Sequence, residues 1–178
     1  MYATAGTSVN RTPGLLESFA AALRDEPINV ILTIGRDRDP AEFGALPDNV
    51  HVERYIPQSL VLSACDAVLS HCGSGTMYAA LDSGLPMVNV PMGMDQFENA
   101  ARCAALRLGV TVESSALSDD AVRAAVREIL ANPSYRDNAQ RVQRDMHALP
   151  GPGDVVALLE RLAVEKRPYA GPTSGVQA

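Results

Sequence analysis

Apolar runs alternate with amphipathic stretches along most of this chain. Met1 to Ala5 is a short apolar run closed by Gly6-Thr7-Ser8, and after Pro13 the positions Leu15, Leu16, Phe19, Ala22 and Leu23 recur at helical spacing. Asn29 to Ile34 reads as a buried strand ending at Gly35, followed by a polar loop through Pro47. Val50 to Tyr55 is a third strand, and Ser59 to Ala64 a short helix that Ser or Gln at its start would cap. Ala67 to Ser70 is the next strand, broken by Gly73-Ser74-Gly75-Thr76 before a helix from about Met77 to Ser83, which Gly84 and Pro86 terminate. Met87 to Val90 is a fifth strand.

Beyond a loop at Gly93 to Asp95, the pattern predicts a helix from Gln96 to Leu108 with Gly109 as its C′ residue, then a sixth strand at Val110 to Val112. Ser118 offers an oxygen to the first turn of a helix running through Leu130, and Asp119 and Asp120 complement its dipole. Pro133 ends that region, and helices over Tyr135 to Ala148 and Asp154 to Lys166 follow. Residues 167–178, rich in Gly, Pro and Ser, are expected to be a disordered tail after a folded domain of residues 1–166. Short strands each followed by a helix predict an α/β fold: a Rossmann-like, doubly wound parallel sheet of about six strands with helices on both faces. Ligands bind such sheets at the carboxyl ends of the strands.

Composition narrows the function. The 178 residues are 47% hydrophobic, enough for one domain with a sizeable core. The formal net charge of -6 and pI near 5.0 exclude a nucleic-acid binder, which needs a Lys/Arg surface. Phosphate, if bound, is expected to be held by backbone N–H groups and one or two side chains. Cys65, Cys72 and Cys103 show neither metal-ligand spacing nor a disulfide framework, which fits a reducing cytoplasm, and no apolar run of about 18 residues provides a membrane span.

Two strand-end loops carry candidate chemistry. In Ser70-His71-Cys72-Gly73-Ser74-Gly75-Thr76, two glycines between a strand and a helix allow close backbone approach and leave helix N–H groups free to meet an anion, with a diphosphate as the natural guest. His71, placed at the strand end, would set an imidazole N–H beside a phosphate oxygen. At the next strand end Asp95 and Gln96 bring a carboxylate and an amide side by side, a pairing suited to adjacent sugar hydroxyls. The competing reading of Asp95 is an ordinary N-cap. Cys72 reads as packing, and His51 and His147 as surface residues. A dinucleotide-binding site requires a GxGxxG that Gly6-Thr7-Ser8-Val9-Asn10-Arg11 does not supply, and Gly73-Ser74-Gly75 lacks the spacing of a hydrolase elbow.

The order Tyr55-Ile56-Pro57-Gln58, His71-Cys72-Gly73-Ser74-Gly75-Thr76, Gly84-Leu85-Pro86, Pro91, Asp95-Gln96 and Asn99-Ala100 resembles the C-terminal domain of the UDP-glycosyltransferase family, and most closely its bacterial natural-product branch. That resemblance implies the C-terminal, donor-binding half of a GT-B fold. It implies that His71, Gly73, Ser74, Gly75 and Thr76 hold a diphosphate, with Gly6 and Thr7 approaching from the other side. Tyr55 stands where many relatives stack a Trp on the base, Ile56 would bind the base edge through its backbone, Gln58 lies near the ribose, and Asp95 and Gln96 would contact the transferred sugar.

The same resemblance implies a UDP- or dTDP-sugar as substrate, no cofactor and no metal. Ala79 stands where plant and animal relatives place a ribose-binding Glu, which bacterial users of dTDP-sugars often lack. It also implies that the acceptor pocket and catalytic His base belong to an N-terminal domain outside this sequence, so that this chain contains no catalytic residue and acts with an acceptor domain or partner chain. A non-catalytic sugar-nucleotide-binding subunit, as in the two-chain N-acetylglucosaminyltransferase, is the alternative. With the cleft face uncovered, Met92, Met94 and Phe97 are expected near solvent, favouring self-association or a mobile C-terminal segment.

Overall fold

The computed structural model describes residues 1–168. Of the expected disordered tail, all but its first two residues lie outside them. Six short strands form one parallel sheet: β1 (Tyr2–Thr4), β2 (Val30–Thr33), β3 (Val50–Glu53), β4 (Val68–Ser70), β5 (Met87–Asn89) and β6 (Gly109–Thr111). Their spatial order is β3-β2-β1-β4-β5-β6, with register partners such as Ala3↔Leu32, Ala3↔Leu69 and Leu69↔Val88. The order reverses between β1 and β4, and a crevice opens at the strand ends there. The α/β doubly wound expectation is met.

Among the described residues the helices are α1 (Leu15–Ala22), α2 (Gln58–Val61), α3 (Ser74–Asp82), α4 (Gln96–Ala105), α5 (Asp119–Ala131), α6 (Pro133–His147) and α7 (Pro152–Glu165). They lie on both faces because alternate strand residues point to opposite sides. Ala3, Leu32, Leu69 and Val88 join Leu15, Phe19, Val122 and Ile129 of α1 and α5 in one core. Tyr2, Val68 and Met87 join Met77, Leu81, Ala100, Cys103 and Ala139 of α3, α4 and α6 in the other. An ion pair fastens the first layer: Arg127 of α5 grips Glu26, just beyond α1, through Nη2–Oε1 (2.7 Å) and Nε–Oε2 (3.0 Å). Arg127 holds the Glu26 carboxyl below its ordinary pKa despite burial.

Several boundaries differ from expectation. The helix expected from Met77 starts at Ser74, because Gly73 is extended and serves as its N-cap. Gly109 is not the C′ residue of α4: a Cβ there would overlap the Met87 backbone, so glycine is needed for β6 to lie against β5. The left-handed turn after α4 falls instead on Arg107 (φ 52°). Pro133 opens α6 rather than only ending α5, since a proline lacks just the N–H that a first helical turn leaves free. Pro13 lies two residues ahead of α1, whose N-cap is Gly14 at φ 78°. Pro57, not Ser59 or Gln58, precedes α2, with no side-chain cap. The loop after β2 contains a 3₁₀ turn over Pro40–Phe43 closed by an Asp39–Glu42 capping box. Ser118 caps α5 as expected, accepting from the Ala121 N–H at 3.2 Å.

The chain divides into two compact units, Met1–Met146 and the segment from His147 on. The second holds α7, which has no buried residue and exposes Val155, Val156, Leu159, Leu162 and Val164.

Candidate functional site

Parallel strands end together, so the residues following β1, β2, β3, β4 and β5 meet at one edge of the sheet. There they line two clefts. The larger, about 670 Å³, is bounded by Gly6, Thr7, Gly35, Arg36, Tyr55, Ile56, Gln58, Gly75 and Thr76, among others. The smaller, about 330 Å³, is bounded by Gly6, Thr7, Ser8, His71, Gly73, Ser74, Gly75, Thr76, Met94, Asp95 and Gln96. Every residue to which the resemblance assigns a part in ligand binding lies on one or both. Gly6, Thr7, Gly75 and Thr76 line both and so form the ridge they share.

His71 immediately follows β4 rather than ending it, and is only 5% exposed. Its ring lies between Gly6 and Gly73: a Cβ on either would overlap the imidazole. Its Nδ1 is buried with no hydrogen-bond partner among the described residues. Burial holds the His71 pKa below its ordinary value, against the opposing pull of the Asp95 carboxylate. Cys72, at φ 60°, turns into the core beside Cys103, consistent with a packing role. His51 and His147 are exposed, and His51 Nε2 lies 2.8 Å from Glu53 Oε1.

From Gly73 the chain enters α3 directly. The first helical bond runs from Met77 N–H to the Gly73 carbonyl (3.0 Å), so the N–H groups of Ser74, Gly75 and Thr76 precede it and present the positive end of the helix to the clefts. The Ser74 hydroxyl is already committed, donating to Asp95 Oδ2. What Ser74 can offer an anion is therefore its backbone N–H.

Asp95 occupies the N-cap position of α4 without making a side-chain cap. Its carboxylate accepts instead from Ser74 and from Asn99 Nδ2 (3.1 Å), which together with nearby His71 hold its pKa below the ordinary value. Asn99 Nδ2 also reaches the Cys72 carbonyl at 3.0 Å. Asn99 thus ties α4 to the turn between β4 and α3, a role that its place in the Asn99-Ala100 pair did not disclose. Gln96 is 1% exposed, and its Oε1 accepts from the N–H groups of Met92 (2.8 Å) and Gly93 (3.1 Å). The expected two-way role of the Gln96 amide is thus narrowed: its Oε1 is taken up within the protein, leaving the Nε2 donor for a ligand, while Asp95 keeps acceptor capacity.

Around the larger cleft, Gln58 Nε2 donates to Thr76 Oγ1 (3.1 Å), linking α2 to the first turn of α3. Tyr55 lies beyond β3, in the loop, 53% exposed. The floor is a buried hydroxyl chain with Tyr2 Oη at 2.8 Å from Thr33 Oγ1, Thr33 donating to Thr4 Oγ1 (2.9 Å), and Gly6 N–H donating to Thr4 Oγ1 (3.1 Å). This chain fixes the ends of β1 and β2, and it went unread because Thr and Tyr in apolar runs look like ordinary strand formers. Ala79 packs against the second core and lines neither cleft.

The family described as "Erythromycin biosynthesis protein CIII-like, C-terminal domain" matches residues 18–162. Among curated relatives, the chain is 32% identical over 153 residues to 3-alpha-mycarosylerythronolide B desosaminyl transferase of Saccharopolyspora erythraea, covering 85% of this chain and 36% of that protein. It is 34% identical over 162 residues to 4'-demethylrebeccamycin synthase of Lentzea aerocolonigenes, covering 91% and 38%. Among solved structures, CalG4, the calicheamicin glycosyltransferase, superposes with a TM-score of 0.85 at 30% identity over 94% of this chain and 42% of that one. The glycosyltransferase VinC in complex with dTDP does so with a TM-score of 0.83 at 30% identity over 92% and 41%. The chain therefore spans less than half the length of each. No described helix is long and apolar enough to cross a membrane. With its Rossmann-like sheet, its strand-end clefts and a match over most of its length, the chain belongs to the erythromycin biosynthesis protein CIII-like C-terminal domain family, the C-terminal part of natural-product glycosyltransferases of the GT-B fold.

Proposed function

We propose that this chain binds a nucleoside diphosphate sugar, a UDP- or dTDP-sugar, for transfer of its hexosyl group to an acceptor held elsewhere. The observation that carries this reading is the wall of the smaller cleft, where the Ser74, Gly75 and Thr76 N–H groups that open α3 lie beside the His71 imidazole. A helix N-terminus and an imidazole that gains a proton beside an anion together stabilise a diphosphate without a metal ion. The base and ribose then occupy the larger cleft against Tyr55, Ile56 and Gln58, and the sugar occupies the smaller one at Asp95 and the Gln96 Nε2. The complex of VinC with dTDP, a structure this chain superposes on, supports the choice of ligand.

The transfer itself needs a base to deprotonate the acceptor. His71 is the sole cleft histidine among the described residues, and it is committed to the diphosphate in this reading. We therefore propose that residues 1–166 act as a donor-binding domain alongside an acceptor-carrying domain or chain. Calorimetric titration with UDP and dTDP tests the binding, which is expected to persist in the presence of EDTA. Failure of both nucleotides to bind would overturn the proposal. The 178-residue chain mixed with a nucleotide sugar and a panel of phenolic and macrolide acceptors is expected to give no transfer above background. Robust turnover would show that it holds its own acceptor chemistry.

A further inference from the structure

Three arginines line the larger cleft, and they differ in one respect. Arg11 is paired with Asp37 (3.0 Å) and Arg54 with Asp39 (3.6 Å). Arg36 has no carboxylate partner among the described residues; its guanidinium carbon lies 4.1 Å from the centroid of the Tyr55 ring. Arg36 lines the mouth of the cleft, and its guanidinium covers the ring on which a base would be expected to stack.

A guanidinium is flat, delocalised and weakly hydrated, so it stacks on π-faces in a way an ammonium does not. Arg36 lies over the Tyr55 ring and lines the same cleft, so a guanidinium lying flat on Tyr55 would present its other face to a ligand there. A nucleobase entering to meet bare Tyr55 would have to displace Arg36 and give up the cation–π contact. A base that stacks on the guanidinium keeps that contact and adds another.

We infer that Arg36 is the platform on which the nucleotide base stacks, with Tyr55 behind it as the support that holds the guanidinium flat. This rests on the reading of the clefts as a nucleotide-sugar site. It assigns Arg36 a binding role that neither the phosphate loop nor the Tyr55-to-Gln58 segment revealed. Because every base has a π-face, such a platform adds affinity with little discrimination between uracil and thymine.

The test titrates the chain and its Arg36→Ala, Arg36→Lys and Tyr55→Ala variants with UDP, dTDP and inorganic pyrophosphate, the last followed by phosphorus NMR. Arg36→Ala is expected to weaken UDP and dTDP alike, by about five- to thirty-fold, the size of a lost base stack, and to leave pyrophosphate unchanged. Arg36→Lys keeps the charge but not the plane, and is expected to lose nearly as much. Tyr55→Ala is expected to cost a similar factor, with the double variant no weaker than the poorer single one, because both residues serve one stack. Both side chains are exposed, so melting temperatures should match across the set. Rescue by Lys, or an equal loss of pyrophosphate affinity, would make Arg36 a phosphate contact and overturn the inference. So would unchanged UDP and dTDP affinity in Arg36→Ala. Absence of binding by the unmodified chain to all three ligands would instead remove the site reading itself, and the platform with it.

Discussion

His71 is held between Gly6 and Gly73 with an unpartnered Nδ1, and burial keeps it neutral below the pH at which a free histidine would charge. The sign of the linkage follows. Between its folded and unfolded pKa values only the unfolded chain carries the proton. Stability tied to His71 is therefore complete above the unfolded value, near 6.5, and is lost as pH falls from there toward the lowered folded value. A diphosphate reverses the local preference by favouring the imidazolium. Binding of UDP-glucose or dTDP-glucose is thus expected to take up a proton and to strengthen as pH is lowered from about 8 to about 6. His71→Ala should weaken binding by about 1 to 3 kcal/mol and abolish that pH dependence. Equal affinity and an equal pH profile in the two proteins would remove His71 from the diphosphate site. Asn99 supports a second test, because it holds Asp95 and the Cys72 carbonyl without lining either cleft. Asn99→Ala is expected to weaken a nucleotide sugar about tenfold more than the free nucleotide, since Asp95 is placed for the sugar. A parallel loss for both ligands would make Asn99 merely structural. Which residues gather at the site was legible from motif order. How their hydrogen bonds are spent was not: the Ser74 hydroxyl and Gln96 Oε1 are satisfied within the protein by partners that only the folded chain brings near.

At the scale of elements, all six strands and the order of the helices were readable because the apolar runs are short, buried and punctuated by Gly and Pro. The misplacements share a cause. Gly73, Gly109 and Pro133 were read by their local habits, as breaker, helix stop and helix stop, whereas each is fixed by a neighbour or by its place in a turn. Gly73 leaves room for the His71 ring and lets α3 begin at Ser74, which turns three residues of an apparent loop into the first turn of a helix. Gly109 lets β6 approach the Met87 backbone, a contact across the sheet that no local pattern encodes. Gly109→Ala would force these two strands apart, and overpacking of this kind costs about 1 to 3 kcal/mol. The melting temperature is expected to drop by about 2 to 4 °C per kcal/mol for a domain of this size. Gly93→Ala, where nothing lies near the added carbon, serves as the control and should melt within about a degree of the parent. A Gly109→Ala protein as stable as the control would show that the β5–β6 edge yields more easily than its geometry implies.

For the whole molecule, alternation of strand and helix was enough to give the doubly wound sheet, but no pattern in the chain reports what covers its outer surfaces. Two apolar features are left exposed. At the cleft, Met94 is 73% and Phe97 46% exposed, on a loop and first turn that also carry Asp95. In the second unit, Val155, Leu159 and Leu162 fall at i, i+4 and i+7, one stripe of α7 without a covering residue. The 178 residues span less than half the length of the relatives they match, and in these residues taken by themselves such surface is expected to be covered by a second copy. Sedimentation velocity across the micromolar range should therefore show concentration-dependent self-association. Burying a Phe or Met side chain is worth about 1.5 to 3 kcal/mol, so Met94→Ser with Phe97→Ser should weaken association at least about tenfold if the cleft face is the contact. A chain ending at Met146 reports the other surface: it should associate more weakly to the extent that α7 contributes, while its sheet and α1 to α5 remain folded by circular dichroism. A monomer at every concentration, for the parent chain, would mean that these apolar residues are tolerated in water, and would argue for a domain adapted to stand alone.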